Sequence, residues 1–249
     1  MSYDLYQARF FPRMNPMETY NPSEHTEFLS GAPLFEDVDP RLIQEVAEGC
    51  SFSVFERGER IFSEGDPPAF FYLVEQGWAK ILREAATGRS VLFEILTPGE
   101  MLGTVAIVND RPFPATAIAA SHLRLFTMPG QDFVKLYNSS PTMQRNYSRE
   151  IGSRLCDARD WQTQLAHTVE GRTAQLFLRL AERMGVRKSG AVYLPRILTR
   201  QETADMVGTT VETAIRILSQ WSKQELMLSE PNTFVIKDLK GMVRLAHVR

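Results

Sequence analysis

The chain has 249 residues, 43% hydrophobic and 23% charged, with a net charge of −2. This composition excludes a disordered or fibrous protein and is long enough for two domains with separate cores. No run of eighteen or more apolar residues occurs, and the opening MSYDLYQARFFPRMNP has no apolar stretch behind a basic start, so neither a transmembrane helix nor a secretory signal is expected. The two cysteines, Cys50 and Cys156, are too few for a disulfide framework and suit a reducing cytoplasm. Charge is spread unevenly: Glu170–Arg249 holds 13 Lys and Arg against 8 Asp and Glu, and the remainder 15 against 22. A basic C-terminal third on an acidic body points to a polyanionic partner for that third.

In chain order, residues 1–27 lack clear periodicity and read as an irregular arm bearing Tyr3, Tyr6, Phe10 and Phe11. Asp39-Pro40 opens a short helix with Leu42, Ile43 and Val46 at helical spacing. From Ser51 to about Pro129 the pattern becomes short strands (SFSVFE, RIFSEG, FFYLVEQG, WAKILRE, SVLFEIL, HLRLFTM) separated by Gly and Pro turns. Such even spacing predicts an all-β jelly roll, and residues 28–138 are assigned to it. A long helix is expected from about Thr142 to His167, within a segment 139–168. Ile151, Ala158 and Leu165 recur every seven residues beside Leu155 and Gln162, the spacing of a dimer seam; packing on the chain's own core is the alternative. Thr168–Arg172 reads as a hinge. Residues 169–249 then carry a helix ending near Gly185, two short helices and a terminal hairpin. The fold class expected is α+β.

The most informative segment is LTRQETADMVGTTVETAIRILSQWSKQELM, residues 198–227. Thr199 with Glu202 forms a capping box that starts one helix, Gly208 ends it, and Thr209 with Glu212 is expected to cap a second. Two short helices joined by a glycine turn are a helix-turn-helix, whose second helix enters the DNA major groove. Arg216 presents a planar fork for guanine O6 and N7, Glu212 an acceptor for the cytosine amino group, and Val211 a contact for a thymine methyl. Thr210, Thr213 and Arg200 suit the phosphate backbone. Glu212 and Arg216, four residues apart, are equally read as a solvated ion pair worth ~0.3 kcal/mol, and Glu212 as a plain cap. The hairpin after Met227, with Pro231-Asn232 at its tip, is the expected wing.

With these segments in hand, the chain from about Leu34 to Leu245 resembles the cyclic-AMP receptor protein/FNR superfamily of bacterial transcription regulators. The resemblance rests on GERIFSEGDPPAFFYLVEQGWAKI, the long helix, GRTAQLFLRLA and LTRQETADMVGTTVETAIRIL. It implies a homodimer that binds double-stranded DNA at a two-half palindrome and works with RNA polymerase, with no membrane association and no enzymatic activity. It further implies that Glu212 and Arg216 read a G·C pair within a TGA-type core. Val211 stands where FNR-like members have valine, which favours a TTGAT-type half-site over TGTGA; Ile215 replaces the FNR serine.

The sensor block departs from the cyclic-AMP pattern. Family binders end their phosphate cassette in an Arg-Ser/Thr pair after a Gly-Glu-Leu turn. The matching stretch here is GTVAIVNDRPFPATA, residues 103–117. The expected effector pocket comprises Gly103, Thr104, Pro114, Ala115 and Thr116, with Asp157 from the long helix in place of an adenine-contacting hydroxyl. Thr104 replaces the glutamate and Pro114-Ala115 the Arg-Ser pair; neither Pro114 nor Ala115 supplies a side-chain donor for a cyclic phosphate and Arg111 stands three residues displaced, so cyclic AMP is not expected. Two cysteines cannot supply the four thiolates of an iron–sulfur cluster. Haem is left open, with His167 the one suggestively placed histidine, and the effector is unassigned. A cupin-like metalloprotein, or a ligand-binding regulator that does not bind DNA, is the alternative class. The cupin-like reading lacks support, because no HxH occurs and His122 is the one histidine of the barrel block; the regulator that does not bind DNA is distinguished by a function that survives loss of Arg216.

Overall fold

A computed structural model describes residues 22–47, 49–85, 90–163 and 167–247. Two compact units emerge from them. One comprises the described residues up to Arg83 together with Glu94–Gly152; the other comprises Glu84–Phe93 and those from Ser153 onward.

The first eight strands in chain order are β1 (Ser51–Phe55), β2 (Arg60–Phe62), β3 (Phe70–Gln76), β4 (Ala79–Glu84), β5 (Ser90–Leu96), β6 (Met101–Leu102), β7 (Thr116–Ala119) and β8 (Leu123–Pro129). They form two four-stranded sheets in the orders β1-β8-β3-β6 and β2-β7-β4-β5. The side-chain period of two decides what each face meets. Along β3 and β8, Tyr72, Val74, Leu123 and Leu125 join Phe62, Ala79, Ala117 and Ala119 in one core. Phe71, Leu73, Phe126 and Met128, on the opposite face, join a second core made with helices. Burial on both faces explains why these strands read as apolar runs rather than strict alternation.

The helices of that second core are α1 (Pro22–Gly31), a 3-10 turn (Pro33–Phe35), α2 (Pro40–Ala47) and α4 (Gly130–Ser139). A short α3 (Thr104–Val108) follows β6. Residues 22–27, read from sequence as part of an irregular arm, are helical. Leu29 is fully buried, and His25 packs edge-on against Phe52 and Phe126, its Nδ1 3.2 Å from the Ala47 carbonyl oxygen. Glu24 pairs with Arg124 at 2.8 Å, and that guanidinium also pairs with Glu75 and lies 3.7 Å above the Phe52 ring. Helix formation is thus driven by the apolar sheet face that α1 covers, a signal that local sequence does not carry.

Helix α5 spans Pro141–Thr163, one residue earlier at its start than expected and ending before His167. Its first turns belong to the first unit. Met143 and Tyr147 are buried there, and Asn146 donates from Nδ2 to the Leu34 and Glu36 carbonyls. Ile151, assigned to the dimer seam, packs against this same core. Leu155 is 54% exposed. The Ala158 and Gln162 side chains, and Leu165 altogether, lie outside the described residues.

The second unit begins with α6 (Val169–Met184) and continues through β9 (Val186–Lys188), β10 (Ala191–Pro195), α7 (Arg200–Val207), α8 (Val211–Lys223), β11 (Met227–Ser229), β12 (Thr233–Ile236) and α9 (Leu239–Ala246). Its sheet runs β11-β12-β10-β9. Phe177 of α6 sits at its centre, edge-on to Trp221 and Phe234. The Thr168–Arg172 hinge is corrected. Thr168 is the N-cap of α6, accepting from the Gly171 N–H, and Gly171 is buried within the helix. Gly171 there allows close packing and does not break the helix. The closing α9 has no counterpart among the elements expected from sequence.

Cys50 donates from Sγ to the Val46 carbonyl at 3.0 Å. Burial, with a contribution from Asp132, pushes its thiol up to about 12. It therefore stays protonated and unreactive through neutral pH. Alkylation of native protein at pH 8, mapped by peptide mass spectrometry, is expected to leave Cys50 unmodified until denaturant is added.

Candidate nucleic-acid interface

Local chemistry sets the two helices. Thr199 accepts from the Glu202 N–H while the Glu202 carboxylate accepts from the Thr199 N–H at 2.7 Å, a complete capping box for α7. Gly208 ends that helix with φ 65° and ψ 54°, the left-handed conformation that suits glycine. The second cap differs from expectation. Thr210, not Thr209, caps α8 and accepts from the Thr213 N–H at 3.3 Å. Thr209 instead donates its N–H to Ala204 and so belongs to the turn. Its neighbour Glu212 folds back: its own backbone N–H and the Thr210 hydroxyl hold its carboxyl below the usual carboxylate range. It is therefore an ionised acceptor at neutral pH.

Tertiary packing then orients α8. Ala214, Ile217, Leu218 and Trp221 are buried, which turns Glu212, Ile215 and Arg216 to the surface. Among the described residues no acceptor engages Arg216, and no ion pair joins it to Glu212. Val211 and Thr213 are half-buried and Thr210 is exposed at the leading end. Arg200, at the start of α7, is half-buried and donates to the Ser229 hydroxyl on the wing at 3.3 Å. Burial and the neighbouring Arg196 guanidinium hold Arg200 below the ordinary arginine range. Arg196 itself donates to the Glu230 carbonyl at 3.0 Å and lies over the Phe234 ring. Among the described residues neither arginine pairs with a carboxylate. Sequence reasoning missed Arg196; a second arginine four residues before Arg200 was the available signal.

The six residues assigned to the effector pocket are placed unevenly. Gly103 (φ 73°) precedes α3, Thr104 is buried as its first residue, Pro114 is exposed, and Ala115 and Thr116 are half-buried. Thr116 is engaged, accepting from the Glu64 N–H at 3.0 Å. The Asp157 side chain lies outside the described residues. The residue missed is Phe113. Its ring stacks on Phe62 at 3.9 Å and is buried. A Cβ at Gly103 would come within 2.4 Å of it. An aromatic side chain of the protein thus fills the space beside the start of α3.

The sequence matches the cyclic nucleotide-binding domain family over residues 52–140 and the Crp-like helix-turn-helix domain family over residues 171–245. The chain belongs to the CRP/FNR superfamily. Its architecture of β-rich domain, helices and C-terminal helix-turn-helix is that of a DNA-binding transcription regulator of this superfamily, not of an enzyme. Among its relatives is the CRP-like cAMP-activated global transcriptional regulator of Mycobacterium tuberculosis, 28% identical over 221 residues, 88% of this chain and 99% of that protein. The cyclic AMP receptor protein of Thermus thermophilus is 25% identical over 220 residues, 88% and 98%. Among solved structures, FixK2 from Bradyrhizobium japonicum superposes with a TM-score of 0.69 at 20% identity, over 80% of this chain and 98% of that one. A CRP/FNR-family transcriptional regulator from Thermus thermophilus gives 0.67 at 24% identity, over 80% and 100%. These superpositions bear on the superfamily fold alone.

Three histidines of this superfamily member have structural contacts: His25 with Ala47, His122 with Glu56 and His247 with Val243. Among the described residues no group of three or more His, Cys, Asp or Glu is placed to hold a metal ion, and no helix is long and apolar enough to cross a membrane. The turn between α7 and α8 depends on Gly208. Its Cβ direction is open, so Gly208→Ala carries the cost of a left-handed backbone without a clash, about 1–2 kcal/mol. Denaturant titration of the full chain, followed by tryptophan fluorescence, is expected to show that loss in the transition that includes Trp221.

Proposed function

We propose that the chain is a cytoplasmic, homodimeric, sequence-specific regulator that reads a two-half palindromic DNA site. The observation that carries this reading is the exposed, unengaged guanidinium of Arg216, one turn beyond an ionised Glu212 on the outward face of α8. A planar fork and a carboxylate one helical turn apart suit a guanine and a cytosine amino group on the floor of the major groove. Thr210, Val211 and Thr213 sit at the leading end of that helix. Arg196 and Arg200 supply two adjacent cations beside the wing with no carboxylate on either, an arrangement a phosphate backbone relieves. A TTGAT-type half-site suits this set, and the exposed Ile215 gives it an apolar edge for a thymine methyl.

Leu155, exposed on α5, supports a seam between two copies formed by Leu155, Ala158, Gln162 and Leu165, beginning beyond Ile151. Two reading heads then meet major grooves about one turn, ~34 Å, apart. RNA polymerase is the partner expected of a regulator bound at a promoter. Control comes from an effector other than cyclic AMP, or the apo protein is itself active. Pro114 and Ala115 offer no side-chain donor to a cyclic phosphate, and Phe113 fills the adjoining space.

Two measurements test these statements. In a gel-shift titration on a palindromic TTGAT-type site, Arg216→Ala is expected to cost ~1–3 kcal/mol of specific binding and to equalise affinities for variants of the contacted base pair. An unchanged site preference removes the base-reading role. Cyclic AMP is expected to change neither the melting temperature of the protein nor its DNA affinity; a thermal shift rising with nucleotide concentration overturns the assignment of the sensor.

A further inference from the structure

The first turn of α6, which sequence spacing assigns to a hinge, is bonded to both α7 and α8. Arg172 donates from Nε to the Val207 carbonyl at 2.8 Å and from Nη2 to the Gly208 carbonyl at 3.4 Å. Those are the last residue of α7 and its left-handed cap, where a helix leaves carbonyls without intrahelical partners and favours a cation. From Nη1 the same guanidinium donates to the His167 carbonyl at 2.8 Å. His167 immediately precedes the N-cap Thr168. One planar group therefore ties the turn between the two reading helices to the chain that enters the unit. Two residues earlier, Glu170 accepts the indole N–H of Trp221 at 2.8 Å. Trp221 is fully buried on the inner face of α8, and its N–H would be left unsatisfied without that carboxylate. Residues two apart on a helix do not face each other, so Glu170 and Arg172 hold two separate points.

We infer that Arg172 and Glu170 are positioning residues forming a two-point clamp, which fixes the angle of the reading face of α8 against the entering chain at His167. Arg172 holds the turn and Glu170 the body of α8, so the pair resists rotation as well as translation. A rigid fork is needed at Arg172, because three carbonyls on two sides must be met at once. A lysine ammonium lacks the fixed fork. This inference rests on the DNA-reading role proposed above. It adds that the clamp, rather than the base-contacting residues, sets which separation of half-sites a dimer accepts. One base pair of spacing turns one half-site relative to the other by roughly a tenth of a helical turn, and a head held at two points does not follow that turn.

The test uses the full-length protein and duplexes with two inverted TTGAT half-sites whose spacer varies by one base pair either way. The wild type is expected to prefer one spacer at least about tenfold, as the coupling of two fixed heads requires. Arg172→Ala is expected to bring the three spacers within about threefold of one another, while preference for the base pair read by Arg216 persists. Arg172→Lys is expected to fall between. The salt dependence of binding is expected to keep its slope, whereas loss of a direct phosphate contact lowers the slope by about one. In free protein, Arg172→Ala is expected to speed amide hydrogen exchange at Thr209 and Thr210 and to leave Thr233–Ile236 unchanged. If Arg172→Ala does not fold, Arg172→Lys carries the test and a spacer preference equal to the wild type's overturns the clamp, with Glu170→Gln, which keeps an acceptor oxygen, as the control expected to retain it. A spacer preference intact in Arg172→Ala overturns the clamp, as does joint loss of spacer and base preference. If the wild type shows no specific DNA binding, the reading above fails, and unchanged exchange at Thr209 and Thr210 in Arg172→Ala then overturns the clamp separately.

Discussion

The second unit is organised around the burial of one face of a thirteen-residue helix, α8. Ala214, Ile217, Leu218 and Trp221 recur at helical spacing and are buried, and Trp221 meets Phe177 of α6, which in turn packs edge-on against Phe234 of β12. Fully burying one side chain of this kind contributes ~1.5–3 kcal/mol, far above the ~0.3 kcal/mol of a surface ion pair between Glu212 and Arg216. The apolar face therefore fixes the rotation of the helix, and the polar face has no freedom to choose. Glu212 and Arg216 are presented to solvent because the opposite side is committed. This constraint makes a major-groove contact geometrically available.

The first unit keeps the framework of a superfamily barrel. Both sheets and the short α3 are present, and the cyclic nucleotide-binding family match spans them. Yet the loop after α3 turns Phe113 inward onto Phe62 and against Gly103. A stacked aromatic pair stabilises by dispersion and apolar burial and offers nothing to a phosphate. Framework and ligand chemistry are carried by different residues: the sheets need alternating apolar side chains, whereas a cyclic phosphate needs one or two donors at fixed places. A family match in the first therefore does not by itself fix the second.

Where sequence and structure differ, the differences share a cause. Gly171 sits between two apparent helices and reads as a hinge, because glycine lowers helix propensity. In the fold it lies in a helix whose first turn is capped by Thr168 and tied to residues about 35 and 50 positions away. Two adjacent threonines precede α8, and the spacing to Glu212 favours the first of them as its cap. The turn geometry after Gly208 gives the role to Thr210 instead. Residues 22–27 have no helical signature of their own and become α1 because the outer face of β1 and β8 is apolar and must be covered.

The sequence alone determined what depends on neighbours within four positions: the capping box of Thr199 and Glu202, the stop at Gly208, the short strands between Gly and Pro turns, and the apolar stripe of α8. Those signals are local because hydrogen-bonded turns and side-chain periods close over three or four residues. Tertiary structure decided that Phe113 fills the barrel beside α3, that Ile151 packs on its own unit, that Arg196 and Arg200 stand together with no carboxylate on either among the described residues, and that Arg172 bonds the helix turn. Each of these joins residues far apart in the chain, so the contact energy of the folded state selects them, and no short window of sequence contains it.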